Sequence, residues 1–221
     1  MSTETVTSNP EMDTSLILDC YDPSGEFITS SVAFQTTNLD DLARLLDLEG
    51  FDVSAVYDLE EEDLARLRRH FAPDIPLIVG FARLRPRLRV DDLPYTVHTN
   101  RELPLMLAGT KPLSVFCEPH PSFAECSSFP EKTFDRHVEN GELAKRDWID
   151  CLKEDKSREL RWVFYALPSE AWRIDAYILL LKTVRRSGWC SGFLRMEGTL
   201  LGYQEWENDA FQEMEKAKGQ V

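Results

Sequence analysis

The stretch SEAWRIDAYILLLKTVRR, residues 169–186, constrains the fold of this chain more than any other. Pro168 stands at its first turn with Glu170 close behind, which is a helix start signal. Trp172, Ala176, Leu179 and Leu180 form one apolar stripe, and Ile174, Tyr177, Ile178 and Leu181 widen it. A helix apolar over so much of its circumference has to be covered by other elements, so it is expected as core.

Sheets are available to cover it. SLILDCY and FITSSVAFQ flank the turn sequence DPSGE, and ELAKRDWIDCL and RELRWVFYALP flank KEDKS, so two antiparallel hairpins are expected. NLDDLARLLDLEG reads as a helix with Asn38 as cap and Gly50 as stop, and LEEEDLARLRRHF as a second, acidic at its start and basic at its end. The two share the pentapeptide DLARL at Asp41–Leu45 and Asp63–Leu67, a match in common helix residues that does not extend to the flanks. Between them, FDVSAVYDL reads as a short strand. IPLIVGFARLRPRLRV reads as an apolar strand running into an alternating one, with Pro86 favouring an edge position in its second half. PYTVHTNRELPLMLAGTKPLSVFCEP reads strand, helix, strand, with Asn100 as cap and Gly109 as stop. Further helices are expected in FPEKTFDRHVENGEL, over Gly192–Leu201 and over Glu205–Lys216.

The fold class expected is α+β, with antiparallel hairpins packed by amphipathic helices and a mainly helical C-terminal part. Residues 1–14 are expected as a disordered tail, 15–118 as an N-terminal α+β subdomain, 119–130 as a turn-rich connector and 131–221 as a C-terminal hairpin with helices, with one continuous domain as the alternative. With 221 residues, 43% of them hydrophobic, the chain can fill a core without disulfides or metal. The opening MSTETVTSNPEMDT has neither a basic start nor an apolar stretch, and the apolar run near Tyr177–Leu181 is too short to span a bilayer. Five thinly spread cysteines do not make a disulfide framework. A cytoplasmic protein with reduced thiols and no membrane association is therefore expected.

The formal net charge of −14 is unevenly placed. Residues 1–70 hold 16 acidic and 4 basic residues, a net −12, whereas 71–110 are +1 and 111–221 are −3. Such a field repels nucleic-acid phosphates and speeds encounter with a basic protein partner; the plainer reading is solubility.

Cys117, His120 and Cys126 are candidate zinc ligands, with His137 or Cys151 available as a fourth. Their spacing lacks a second tight pair, and Cys117 ends an apolar strand, where a free thiol behaves as a small hydrophobe. Cys190, just before a helix, is a candidate nucleophile, against a packed thiol beside a buried Trp189. Arg83, Arg85, Arg87 and Arg89 recur at period two and are a candidate anion-binding row, against a solvated strand face or pairing with the chain's own acids. Glu60, Glu61 and Glu62 read as a helix start, and also as acidic surface for a partner. Tyr203 and Trp206 stand among Glu205, Glu207 and Asp209, aromatic anchors on an acidic rim of the kind that binds basic partners; the plainer reading buries Trp206 and Phe211. The motifs GxGxxG, GxxxxGK[ST], GxSxG and HExxH are absent from the sequence. The function expected is a non-catalytic acidic binding module of inhibitor, immunity or adaptor type, needing no cofactor. A Cys/His-centred enzyme or accessory subunit, with or without zinc, is the alternative, and the sequence gives no handle on a small molecule.

Overall fold

The computed structural model describes residues 14–36, 38–71, 81–121, 129–151 and 159–217. The chain is α+β: seven strands form a four-stranded and a three-stranded sheet, both antiparallel, with seven α-helices among the described residues. No helix among the described residues is long and apolar enough to cross a membrane. Two compact units divide at Asp91/Asp92. The boundary expected at 119–130 is corrected, because residues 113–120 pair with the strand at 159–166 and so belong to the second unit. The expected tail, apart from Thr14, which is strand, and the strand IPLIVG fall on residues outside the description.

In the first unit, β1 (Thr14–Tyr21) and β2 (Ile28–Thr36) form the expected hairpin. Its turn is held by Asp22, whose carboxylate accepts from the N–H groups of Glu26 and Phe27, both at 3.1 Å. The sheet order is β2-β1-β4-β3, where β3 is Tyr57–Leu59 and β4 is Ala82–Pro86. Strand alternation sends Leu16, Leu18 and Cys20 to one face, where they meet α1 (Leu39–Leu45) and α2 (Glu61–Phe71) through Leu42, Leu46, Leu64 and Leu67. Both copies of DLARL work alike: Leu42 and Leu64 are fully buried, and Asp41–Arg44 and Asp63–Arg66 pair three residues apart. Asn38 caps α1 as expected, accepting from Asp41 N at 3.1 Å, but the helix ends before Gly50, at Leu46. Asp47 takes the left-handed turn there, with φ 54°.

The second unit is built on the sheet β5-β7-β6, with β5 Leu113–His120, β6 Ala144–Cys151 and β7 Glu159–Ala166. Residues 95–100 form no strand, so the expected strand–helix–strand unit reduces to α3 (Glu102–Leu107) followed by β5. One face of the sheet carries Leu113, Phe164 and Ala166 against α5 (Trp172–Ser187) and α6 (Ser191–Leu201). The other carries Phe116 and Tyr165 against Phe134 of α4 (Glu131–Glu139), ring centroids 5.2 Å and 4.6 Å from it. Beside these rings, Arg161 donates to Glu118 and Glu131, both at 2.9 Å, and to Asp147 at 2.7 Å, while Lys145 bridges Glu131 and Asp135.

Helix α5 is core, but through a different stripe from the one expected. Ile174, Tyr177, Leu180 and Val184 are buried, whereas Trp172 is 57% and Leu179 65% exposed. The sheet occupies the side from which Ile174 and Tyr177 project. Helix α7 (Glu205–Lys216) packs on α6 with the bounds expected.

Candidate functional site

The residues before α3 and the turn into α7 meet in the second unit. Gly202, with φ 95°, ends α6 in a left-handed turn, and a Cβ there would lie 2.3 Å from Pro112 Cδ. Glycine is what this close approach requires, and it delivers Tyr203 beside the 95–98 segment. His98 stacks on Tyr203 with ring centroids 4.1 Å apart, and the Tyr203 hydroxyl accepts the His98 backbone N–H at 3.0 Å. Tyr95 meets Tyr203 at 5.7 Å and Trp206 at 5.6 Å, the latter pair at 88°.

A buried cation underlies these rings. Lys111 is 3% exposed; its Nζ lies 3.3 Å from His98 Nδ1, donates to the carbonyl of Leu201 at 3.3 Å and faces the Tyr203 ring at 5.9 Å. Burial pushes the Lys111 ammonium down to about 8, opposed by the charge of Glu102. Burial, with Lys111 adding, pushes His98 down to about 4, so its neutral ring accepts from Lys111 at pH 7. Burial raises Glu102, and it raises Tyr95 to about 12 with help from Tyr203 and Glu207.

Trp206 is 48% exposed, so the expectation that it closes the core is corrected. It is nevertheless held: its indole N–H donates to Gln204 Oε1 at 2.8 Å and its ring rests against Tyr95. Glu207 accepts from Gln204 N at 2.6 Å, fixing the helix start. Glu205, Asp209 and Glu213 are exposed at spacing four, one face of α7, with Asp209 paired to Arg195 of α6. Asn208 is buried inside α7 and donates weakly to Thr199 Oγ1 and to the Tyr203 carbonyl, both at 3.4 Å.

The other candidate sites fare differently. Glu60, Glu61 and Glu62 are exposed at the start of α2, where Asp63 accepts from Glu60 N at 3.0 Å; they belong to the first unit and Trp206 to the second. The four-arginine row is corrected to two, because β4 ends at Pro86 and Arg89 opens a turn of 3₁₀ helix over Arg89–Asp92. Pro86 itself lies past the reach of β3, which pairs only with Ala82, Arg83 and Leu84. The two strand arginines serve the chain's own acids. Arg83 donates to Asp58 at 2.7 Å, and Arg85 donates to the buried Asp19 at 2.6 Å and forks onto Asp91 at 2.7 Å and 2.9 Å.

Cys117 and His120 are three residues apart on β5, an odd spacing that sends them to opposite faces of the sheet. Cys117 is exposed, not buried as expected, on the face shared with Tyr177; surrounding protein still shields its sulfur from part of the solvent, and this partial desolvation with the nearby Glu118 charge raises its pKa. His137 bonds Glu142 at 2.7 Å, while Cys126 and the Cys151 side chain lie outside the described residues. No group of three or more metal-ligating side chains comes together among the described residues. Cys190 is the exposed N-cap of α6, and Trp189 beside it is 49% exposed rather than buried.

No protein-family model, curated protein or solved structure matches this chain. Tyr203 and Trp206 were legible in the sequence as a pair; Tyr95, His98, Glu102 and Lys111 were not. Their positions lie about a hundred residues away, and no local pattern marks them.

Proposed function

We propose that this chain is a non-catalytic binding module that docks an acidic, aromatic face onto a positively charged protein. The observation that carries the reading is Trp206: a large ring 48% exposed, yet held by Gln204 and Tyr95. An exposed side chain already fixed in place loses little conformational freedom on binding, which is what a hot-spot residue needs. The helix that carries it supports a basic partner, since Glu205, Glu207, Asp209, Glu213 and Glu215 outnumber Lys216. The first unit's acids add a longer-range field that raises the encounter rate. The Cys/His-centred alternative draws no support from β5, where Cys117 and His120 point apart.

The reading is tested by capturing the partner from the native host and measuring its affinity for two variants. Trp206→Ala is expected to weaken binding by about 2 kcal/mol or more, and Glu205→Lys to slow association. A partner indifferent to both variants contradicts this docking face.

A further inference from the structure

The same face carries a more specific feature. Rings that meet edge to face leave a corner bounded by the π-faces of both, and Tyr95 and Trp206 meet at 88° with centroids 5.6 Å apart. Tyr203 backs Tyr95 at 61°. Two acids stand beside the corner, while the cation Lys111 is buried against Tyr203: Glu207 lies near enough to act on the Tyr95 phenol, and Glu205 is exposed in the same helical turn as Trp206. The chain already places its own cations on rings in this unit, Lys111 over Tyr203 at 5.9 Å and Arg173 over Trp172 at 4.9 Å.

The geometry points to a cation cage: the corner between Tyr95 and Trp206 receives an arginine side chain of a partner protein, with the carboxylates of the first turn of α7 beside it. This rests on the docking reading above and names its anchor. Arginine fits better than lysine because the guanidinium is planar and weakly hydrated, so it stacks on a ring at little desolvation cost. A protein segment fits better than a free small cation because the acids continue beyond the cage. Glu205 and Glu213 are exposed along α7 about 12 Å apart at 1.5 Å per residue, with Asp209 between them paired to Arg195. That length matches several basic residues in succession.

The test titrates the full chain with an arginine hexapeptide, and separately with a lysine hexapeptide, at low ionic strength. It follows the tryptophan indole N–H resonances, with that of Trp206 identified by its loss in Trp206→Phe. The Trp206 resonance is expected to shift and saturate, with the arginine peptide bound about tenfold more tightly than the lysine peptide. Trp206→Leu and Tyr95→Leu are each expected to weaken the arginine peptide about tenfold. The wild-type resonance reads the site even if the Tyr95 variant folds poorly. Binding that leaves the Trp206 resonance unmoved overturns the cage while sparing the docking reading, because acids elsewhere would then hold the peptide. Equal affinity for both peptides overturns the arginine assignment. Failure of both peptides to bind overturns the cage and the docking reading together.

Discussion

His98 lies flat on Tyr203, ring centroids 4.1 Å apart and planes 9° from parallel, and its backbone N–H donates to the same tyrosine's hydroxyl. These two contacts join segments 105 positions apart in the cluster where Tyr95 meets Trp206 edge to face. Tyr203→Phe removes the acceptor for the His98 N–H and keeps the stacking. It is expected to cost about 1 kcal/mol in urea unfolding. Tyr203→Ala removes both and is expected to cost about 3 kcal/mol and to broaden the Trp206 indole resonance.

Acid should loosen this cluster through His98. Its folded-state value of about 4 is below the ordinary 6.5, so the unfolded chain takes up the proton first. The stability His98 contributes is present above pH 6.5 and lost as pH falls from 6.5 towards 4. Discounted for the part of the ring open to water, the loss is on the order of 1 kcal/mol. Urea midpoints measured across this window should fall less steeply for His98→Gln than for wild type.

Lys111 acts in the alkaline range. Its folded value of about 8 lies below the ordinary 10.5, so the unfolded state binds more protons between these values. This group therefore adds stability as pH rises from about 8 to about 10, and Lys111→Met should remove that slope. An unchanged slope in the variant would show that Lys111 is not the group titrating.

Close backbone approach fixes how α6 meets its neighbours. A Cβ on Gly198 would stand 1.9 Å from Asn208 Oδ1, and one on Gly202 would meet Pro112 and require a left-handed residue. Gly202→Ala is expected to cost about 1–3 kcal/mol, with Gly198→Ala similar unless the Asn208 side chain swings away. Differential scanning calorimetry of the two variants measures this directly.

The arginines at the sheets hold structure together. Arg161 gathers Glu118, Glu131 and Asp147, and its hydrogen bonds, joined by those of Lys145, hold Glu131 down at about 2. Arg161→Met at pH 7 is expected to cost about 3 kcal/mol by taking a donor from the buried Glu118 and the half-buried Glu131. The part of the cost carried by Glu131 should be lost as pH falls from the ordinary 4.5 towards its folded value of about 2. Arg85→Met should also destabilise at pH 7, by taking the guanidinium from the buried Asp19, whereas a loss of anion binding without a loss of stability would restore the arginine row as a ligand site.

Sequence reached the elements whose signals are local. The bounds of α7, the Asn38 cap and both hairpins follow from cap, turn and alternation chemistry within a few residues. Helix α5 reads as core in the sequence, but the side it buries does not: it is apolar on most sides, so periodicity alone does not choose between Trp172–Leu179 and Ile174–Tyr177. The arginine row reads longer in the sequence than it is in the fold because Asp91, which ends it by accepting from Leu88 N and gripping Arg85, is visible only as a loop acid. The separation of Cys117 from His120 was available in the sequence, since an odd spacing on a strand divides two residues between its faces. The cluster around Lys111 depends on a tertiary meeting of residues 95–111 with 201–206, which no local pattern encodes.

The most direct measurement is the association rate of the captured partner as ionic strength rises. A basic partner steered onto the acidic face should associate progressively more slowly as salt screens the field, with the Trp206→Ala defect persisting mainly in dissociation. An association rate independent of salt, together with a Trp206 variant that binds like wild type, would contradict an acidic, aromatic docking surface.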